Sequence, residues 1–363
     1  MKAIILAGGG GTRLWPVSRQ GSPKQLEAVI GDRSMIKVTY DRVRKGFAER
    51  DIFISTSVSQ REQIMAQLPG VPEEQFIFEP HRRDTASAIG YALLHVARVS
   101  PLATFVIINS DAHVRDQREY HRVISLAGGE AERRHCSAVL IGITPSYAET
   151  GYGYIKTGEF VDRPESGNDN DHLFVVEKFV EKPDAKTASQ YLAHGGYLWN
   201  PTLIVGTADR FLSLYEKHLP EHAAIFKKLK PLIGQFGREA EIAALFETLP
   251  KISVDYGILE KEKNLLVLPA DFGWSDIGNW RTVRDILAEH DRQNVVRGRH
   301  LGIDSAANLV YSASGKLVAT VGVSDMIIVE TDKALLVCPQ CRAHEVKNLV
   351  AMMEKSEEMK EYL

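Results

Sequence analysis

Residues 1–25 read "MKAIILAGGGGTRLWPVSRQGSPKQ": an apolar run, four glycines at Gly8 to Gly11, then Arg13 and, after Pro23, Lys24. The run Lys2–Gly8 is short and rich in isoleucine and leucine, which predicts a buried strand. Glycines at its end leave no Cβ between the backbone N–H groups and an approaching anion, and Arg13 and Lys24 add fixed positive charge. Two common phosphate loops fail here. A dinucleotide fingerprint counted from Gly8 needs glycine where Arg13 stands, and a P-loop needs a Gly-Lys-Ser/Thr that is missing. On these residues alone, a phosphate-holding turn and a plain strand-to-helix turn with surface cations both remain open.

Outward from this stretch, strand-like runs alternate with helix-like ones. "DIFIST", "QFIFEP" and "TFVIINSD" are short and β-branched or aromatic, while "SMIKVTYDRVRKGF", "SQREQIMAQL" and "DTASAIGYALLHVAR" repeat apolar residues at three and four spacing. The pattern predicts an α/β fold, a Rossmann-like and mostly parallel sheet with helices on both faces. Ligands of such sheets bind outside the carboxyl ends of the strands, where the glycines, Glu79 and Asp111 fall. "SAVLIGITP", "GYGYIKTGEF" and "LFVVEKFVEKP" predict further strands, and residues 185–250 are mainly helical. Past Asn294 short apolar pairs recur between turn residues at nearly even intervals, which predicts a β-rich appendage resembling part of a β-helix. We therefore expect a catalytic domain over 1–290 and a C-terminal β-rich domain over 291–363, closed by an amphipathic helix whose Val346, Leu349, Val350 and Met353 share a face. The apolar pairs and this helix offer more hydrophobic surface than a small appendage hides within itself, so the region is expected to pack on the catalytic domain or on a second subunit, with a homodimer leading.

Composition sets limits. The 363 residues are 44% hydrophobic, and 44 Lys and Arg against 47 Asp and Glu give a formal charge of -3. A near-neutral balance gives no general electrostatic case for nucleic acid or an anionic membrane, so neither is expected as a partner. Cys136, Cys338 and Cys341 cannot build a disulfide framework, and the N-terminal apolar run is too short for a signal h-region or a membrane span; a cytoplasmic location is expected. Cys338-Pro-Gln-Cys341 has zinc-like spacing but no second pair to complete four ligands. His218 and His222 are separated by Pro220, which breaks any helix that would align them.

A set of motifs follows the first stretch in order: "FEPHRRDTASAIG", "NSDAHV", "TGYGYIK", "FVEKP", "WNPT", "SVDYGILEK" and "ADFGWSDIGNW". Together with "LAGGGGTRLWPVSRQGSPKQ" they resemble the sugar nucleotidylyltransferases, in particular the mannose-1-phosphate guanylyltransferase (GDP-mannose pyrophosphorylase) branch, over essentially the whole chain. The resemblance implies a nucleotide-binding α/β core, a divalent metal such as Mg²⁺, and reaction of a sugar 1-phosphate with a nucleoside triphosphate to give a nucleotide sugar and pyrophosphate. It implies that Leu6, Ala7, the backbone of Gly8, Gly9, Gly10 and Gly11, Thr12 and Arg13 hold the nucleotide and its triphosphate, with Lys24 and Lys182 at the α-phosphate and the sugar phosphate. Asp111 and Asp276 match the metal carboxylates, and two carboxylates plus phosphate oxygens suit Mg²⁺; each could instead cap a turn or helix. In "EPHRRDTASA", Glu79 and Asp84, flanked by Arg83 and Thr85, are suited to the adjacent N1–H and N2–H₂ donors of guanine, though Asp84 could equally cap the helix that follows. For the sugar the resemblance points to Gly153, Glu181, Asn200 and Asp255.

The sequence departs from the family at Asp84, where Arg-Asn-Thr-Ala-Pro becomes Arg-Asp-Thr-Ala-Ser; at Ala112, where Ser-Asp-His becomes Ser-Asp-Ala-His; and at Pro201 and Thr202, where Trp-Asn-Ser-Gly becomes Trp-Asn-Pro-Thr. Each lies in a contact loop. An enzyme transferring GMP from GTP to mannose 1-phosphate is therefore expected, beside two alternatives: a nucleotidylyltransferase for another sugar 1-phosphate, and a catalytically weak regulatory relative that binds nucleotide sugars.

Overall fold

The opening apolar run forms a strand, Lys2–Leu6, whose Ala3, Ile4 and Ile5 have no exposed surface. A strand covered on both faces reads as a continuous apolar run. The computed structural model describes all residues except Gly10, Gly11, Gln20, His135, Glu165, Ser166 and Asn170. It divides into two units: Met1–Gly8, Tyr40–Asn109 and Val114–Trp274 in the first, and Gly9–Thr39, Ser110–His113 and Ser275–Leu363 in the second.

The first unit holds a nine-stranded sheet in the order Phe76–Glu79, Ile52–Ser57, Lys2–Leu6, Thr104–Asn109, Tyr197–Thr207, Ala138–Ile143, Leu265–Ala270, Leu173–Glu181, Gly153–Asp162. The first four strands are parallel, with Ala3 opposite Ile52, Lys2 opposite Phe105 and Ile54 opposite Phe76. This is the half in which helices such as Asp84–Val99 cross between strands. Beyond Thr104–Asn109 the sheet is mixed: Tyr197–Thr207 runs antiparallel to all three strands it pairs with, Thr104–Asn109, Ala138–Ile143 and Gly153–Asp162, and Gly153–Asp162 also pairs antiparallel with Leu173–Glu181. Strands joined by a short loop need no helical crossover and so pair antiparallel. Helix Asp84–Val99 packs its Ile89, Leu93 and Val96 into a core with Phe105, Tyr215, Phe226 and Phe246. Gly90 permits the approach, since a Cβ there would lie 2.2 Å from the Phe226 ring.

In the second unit, strands stack parallel as in a β-helix: Val295–Arg297 on Leu309–Ser312 on Met326–Glu330, and Arg299–Ile303 on Leu317–Val321. Their inward Leu309, Tyr311, Ile327 and Val329 share one core with Leu14, Trp15, Val29 and Met35 from the N-terminal stretch and with Ile277 and Trp280. The end of the chain departs from the expected single amphipathic helix. It breaks into a 3-10 turn Gln340–Glu345, an α-helix Val346–Met353 and a second 3-10 turn Glu357–Tyr362. Val346, Val350 and Met353 are buried, but Leu349 falls at the edge of the stripe and is 39% exposed.

Candidate active site

The second unit gathers charge around Lys24. This residue opens the 3-10 turn Lys24–Leu26, and its ammonium pairs with Asp111 Oδ2 and lies 4.0 Å from Asp276 Oδ1. Burial pulls the lysine pKa down, but the Asp111 and Asp276 carboxylates outweigh it and hold the pKa above the ordinary value, so Lys24 remains a cation. Arg13, half-buried in the turn Thr12–Leu14, acts on Lys24 in the opposite sense. Its turn is anchored by the buried Leu14 and Trp15. Gly9 has open space where a Cβ would stand. Gly10 and Gly11, expected to hold phosphate, lie outside the described residues, as does the Thr12 side chain.

Asp276 does not cap the helix Trp280–Leu287. Asn279 does, its side-chain oxygen accepting from the Thr282 N–H. Asp276 instead lies over Gly278, where a Cβ would come within 2.8 Å of Oδ2. Asp111 and Asp276 therefore converge on a single positive charge, as two ligands of one divalent cation would, and hard carboxylate oxygens fit such an ion. Among the described residues no group of three or more His, Cys, Asp or Glu is placed to hold a metal.

In the first unit, Glu79 ends its strand almost fully buried and accepts from Ser55 Oγ at 3.0 Å. Burial lifts its carboxyl to about 7, against the smaller pull of the Ser55 bond and Arg82. It faces the end of the first strand, since a Cβ on Gly8 would lie 3.9 Å from Glu79 Oε1; next to that glycine, Ala7 is buried and Leu6 half-buried. Asp84 is the first residue of its helix and not the cap; Arg83 occupies the cap position, and Asp84 Oδ1 accepts from the Thr85 N–H. Arg83 Nε is buried and finds no partner among the described residues. Thr85 Oγ1 accepts from the Val254 N–H at 2.9 Å, tying this loop to the segment that carries Asp255.

There Asn200 is the hinge of a short chain. Its amide donates to Asp255 Oδ1 at 3.0 Å, and its oxygen accepts from the Thr202 N–H at 3.0 Å. Asp255 starts a five-residue π-helical turn, Asp255–Leu259; burial and then the nearby Glu181 push its carboxyl to about 7. Glu181 pairs with Lys182, and its carboxylate fills the space beside Gly153, where a Cβ would lie 2.5 Å from Oε2. Gly153 stands opposite both Glu181 and Asn200 in the sheet, so the register brings the three together.

Asp84, Lys182 and Thr202 are the non-glycine residues of this unit with positive φ among the described residues, at 68°, 47° and 58°. Such strain persists where the surroundings over-determine it, commonly at functional sites. Sequence reasoning passed over Gly278 and the backbone of Thr202. Gly278 carried a signal, a glycine two residues after a candidate ligand; Thr202 carried none, because a threonine gives no hint of a left-handed backbone.

Residues 2–293 match the nucleotidyl transferase family model, and residues 298–353 match the mannose-phosphate isomerase/GMP-like β-helix domain. This chain belongs to the nucleotidyl transferase family. Among similar proteins, the xanthan biosynthesis protein XanB of Xanthomonas campestris pv. campestris is 34% identical over 97% of this chain and 73% of its own length. A mannose-1-phosphate guanylyltransferase of Escherichia coli K12 is also 34% identical, over the same shares. The crystal structure of a mannose-1-phosphate geranyltransferase from Thermus thermophilus superposes with a TM-score of 0.85 at 28% identity, covering 97% of this chain and 99% of that one. The nucleotidyl transferase is thus an enzyme with a mixed α/β core and a C-terminal β-helix domain, and no helix among its described residues is long and apolar enough to cross a membrane.

Proposed function

We propose that the chain transfers GMP from GTP to mannose 1-phosphate, releasing GDP-mannose and pyrophosphate. The observation that carries this reading is the convergence of Asp111 and Asp276 on Lys24, a built polyanion and cation site, in a family whose similar members include a mannose-1-phosphate guanylyltransferase. A phosphate oxygen of the sugar attacks the α-phosphorus in line, the bond to the β-phosphate oxygen breaks, and pyrophosphate leaves. No protein nucleophile is needed; the chain has to align two polyanions and offset charge at the transferring phosphorus.

Arg13 and the backbone of Gly8 and Gly9 hold the triphosphate, Lys24 meets the α-phosphate, and Lys182 the sugar phosphate. Arg83, with an unanswered buried N–H, is a further donor for phosphate or nucleotide oxygens. Asp111 and Asp276 would hold Mg²⁺, which supplies Lewis-acid neutralisation of the phosphates when bound. Glu79 and Asp84 accept from guanine, whose paired N–H donors favour ionised carboxylates. Gly153, Glu181, Asn200 and Asp255 line the sugar, whose hydroxyls both donate and accept.

The stacked strands Arg299–Ile303 and Leu317–Val321 turn Leu301, Ile303, Leu317 and Val321 to solvent on one face, each at least 60% exposed. A second copy of the chain covering this face makes a homodimer. The three cysteines are free, which suits a reducing cytoplasm.

Pyrophosphate release with GTP, Mg²⁺ and a panel of sugar 1-phosphates tests the reading. Mannose 1-phosphate is expected to give the highest kcat/KM. A better substrate among the other sugars overturns the sugar assignment, and binding without turnover of any of them makes the protein a regulatory relative.

A further inference from the structure

Trp15 is gripped from two sides. Its indole N–H donates to the Tyr362 carbonyl at 2.8 Å, and its own carbonyl accepts from the Trp280 indole N–H at 2.9 Å. Trp15 follows Arg13 by two residues, in a turn where the Val17 and Ser18 N–H groups donate to the Leu14 carbonyl at 3.1 and 3.0 Å. The segment running on to Lys24 and Ala28 is fastened to the same part of the chain: Arg19 donates to Thr331 Oγ1 at 3.0 Å and Arg297 to the Ala28 carbonyl at 2.6 Å.

A tryptophan serving only as bulk would fix a location but not an angle. Here the ring and the peptide carbonyl both meet directional partners, and a buried N–H left unpaired is costly, so Trp15 has one seated orientation. The terminal turn Glu357–Tyr362 has no fully buried residue, but Tyr362 and the following Leu363 rest, partly buried, against the core that holds Leu14 and Trp15. Beside that apolar packing, the directional tie to the N-terminal stretch is the bond to the Tyr362 carbonyl. A terminal segment that both packs on this core and hydrogen-bonds the side chain two residues from Arg13 is placed to orient that cation.

We propose that Trp15, seated between Tyr362 and Trp280, is a positioning residue that sets Arg13 against the triphosphate, so that the C-terminal tail is part of the reaction's apparatus. This rests on the role given to Arg13 above. Trp15→Phe keeps an aromatic ring and removes the bond to Tyr362; deletion of residues 357–363 removes the same bond together with the packing of Tyr362 and Leu363. Each is expected to lower kcat about tenfold, within the range that misplacement of a positioned group costs, while KM for mannose 1-phosphate is unchanged. The combined variant is expected to be no worse than the deletion alone, because Trp15→Phe breaks a link that the deletion has already removed. Hydrogen exchange at the Val17 and Ser18 amides in the intact Trp15→Phe chain reports the tether without substrate and is expected to quicken. Unchanged exchange, an unchanged kcat in Trp15→Phe, or losses that multiply in the combined variant overturn the proposal. An unaltered chain with no turnover sinks the guanylyltransferase reading, and exchange then still decides whether the tail holds the turn. Should the shortened chain fail to fold, kcat and exchange in Trp15→Phe alone decide the matter.

Discussion

At the residue scale, the two carboxyls raised to about 7, Glu79 and Asp255, tie stability to pH. Glu79 titrates at about 7 in the folded chain against an ordinary 4.5, so the folded state holds this proton more tightly than the unfolded one. The stability it contributes is fully present below pH 4.5 and is lost as pH rises through about 7. Glu79→Gln keeps an acceptor for Ser55 but has no charge to desolvate. It is expected to match the unaltered chain near pH 4 and exceed it at pH 8 by on the order of 1 to 3 kcal/mol in urea unfolding. Its preference for GTP over UTP should fall at least about tenfold, the worth of a charge-assisted hydrogen bond; a retained preference assigns base choice elsewhere. Asp111→Asn tests the opposite kind of group, a partly buried carboxylate that carries its charge toward Lys24. Its kcat should fall about a hundredfold or more at saturating Mg²⁺, with the fold retained and the melting temperature modestly lowered, because the largely buried Lys24 is left with Asp276 as its counter-charge. Near-normal turnover would remove Asp111 from the metal site.

At the element scale, the strand and loop that carry Asn200 depend on a threonine in a left-handed conformation. A β-branched residue at φ 58° is a backbone outlier, and its N–H fixes the oxygen of Asn200. Thr202→Gly should therefore be more stable than Thr202→Ala by roughly 1 kcal/mol, the reverse of the usual order, because only glycine takes positive φ without strain. Thermal melts of the two variants decide it; an alanine variant as stable as the glycine one means that the backbone moves out of that region. Gly153 poses the complementary case, since its strain would come from a neighbour. A methyl there meets the Glu181 carboxylate, and Gly153→Ala is expected to raise KM for the sugar 1-phosphate without altering KM for GTP.

For the whole molecule, the decisive fact is that the N-terminal stretch carrying Arg13 and Lys24 and the C-terminal β region share one core. Leu14, Trp15, Val29 and Met35 are packed with Leu309, Tyr311, Ile327 and Val329. Truncation before Asn294 consequently does more than remove a dimer face. It strips the apolar cover from the segment that carries Arg13 and Lys24, at several kcal/mol for the side chains exposed. The truncated chain is expected to lose turnover and to show rapid proteolysis between residues 12 and 35; a truncated chain with unchanged turnover would refute this. The homodimer is a separate question with a separate test. Leu301→Lys with Val321→Lys should give a folded monomer by light scattering if that face is the interface, with the melting profile of the core retained.

By itself the sequence determined the α/β class, the parallel first half of the sheet, the β-helical texture after Asn294 and the order of motifs that marks the family, because these follow from local periodicity and from short contiguous runs. Even the Asp111 and Asp276 pair was legible as two carboxylates in two motifs. Only the tertiary structure decided that both converge on Lys24, that Glu79 is buried enough to hold its proton near neutrality, and that Thr202 bends left-handed beneath Asn200. It also decided that the last turn of the chain reaches back to Trp15, across 347 residues of sequence separation. Desolvation, register and long-range packing are properties of which groups become neighbours, and neighbours so far apart in the chain leave no periodic trace in it.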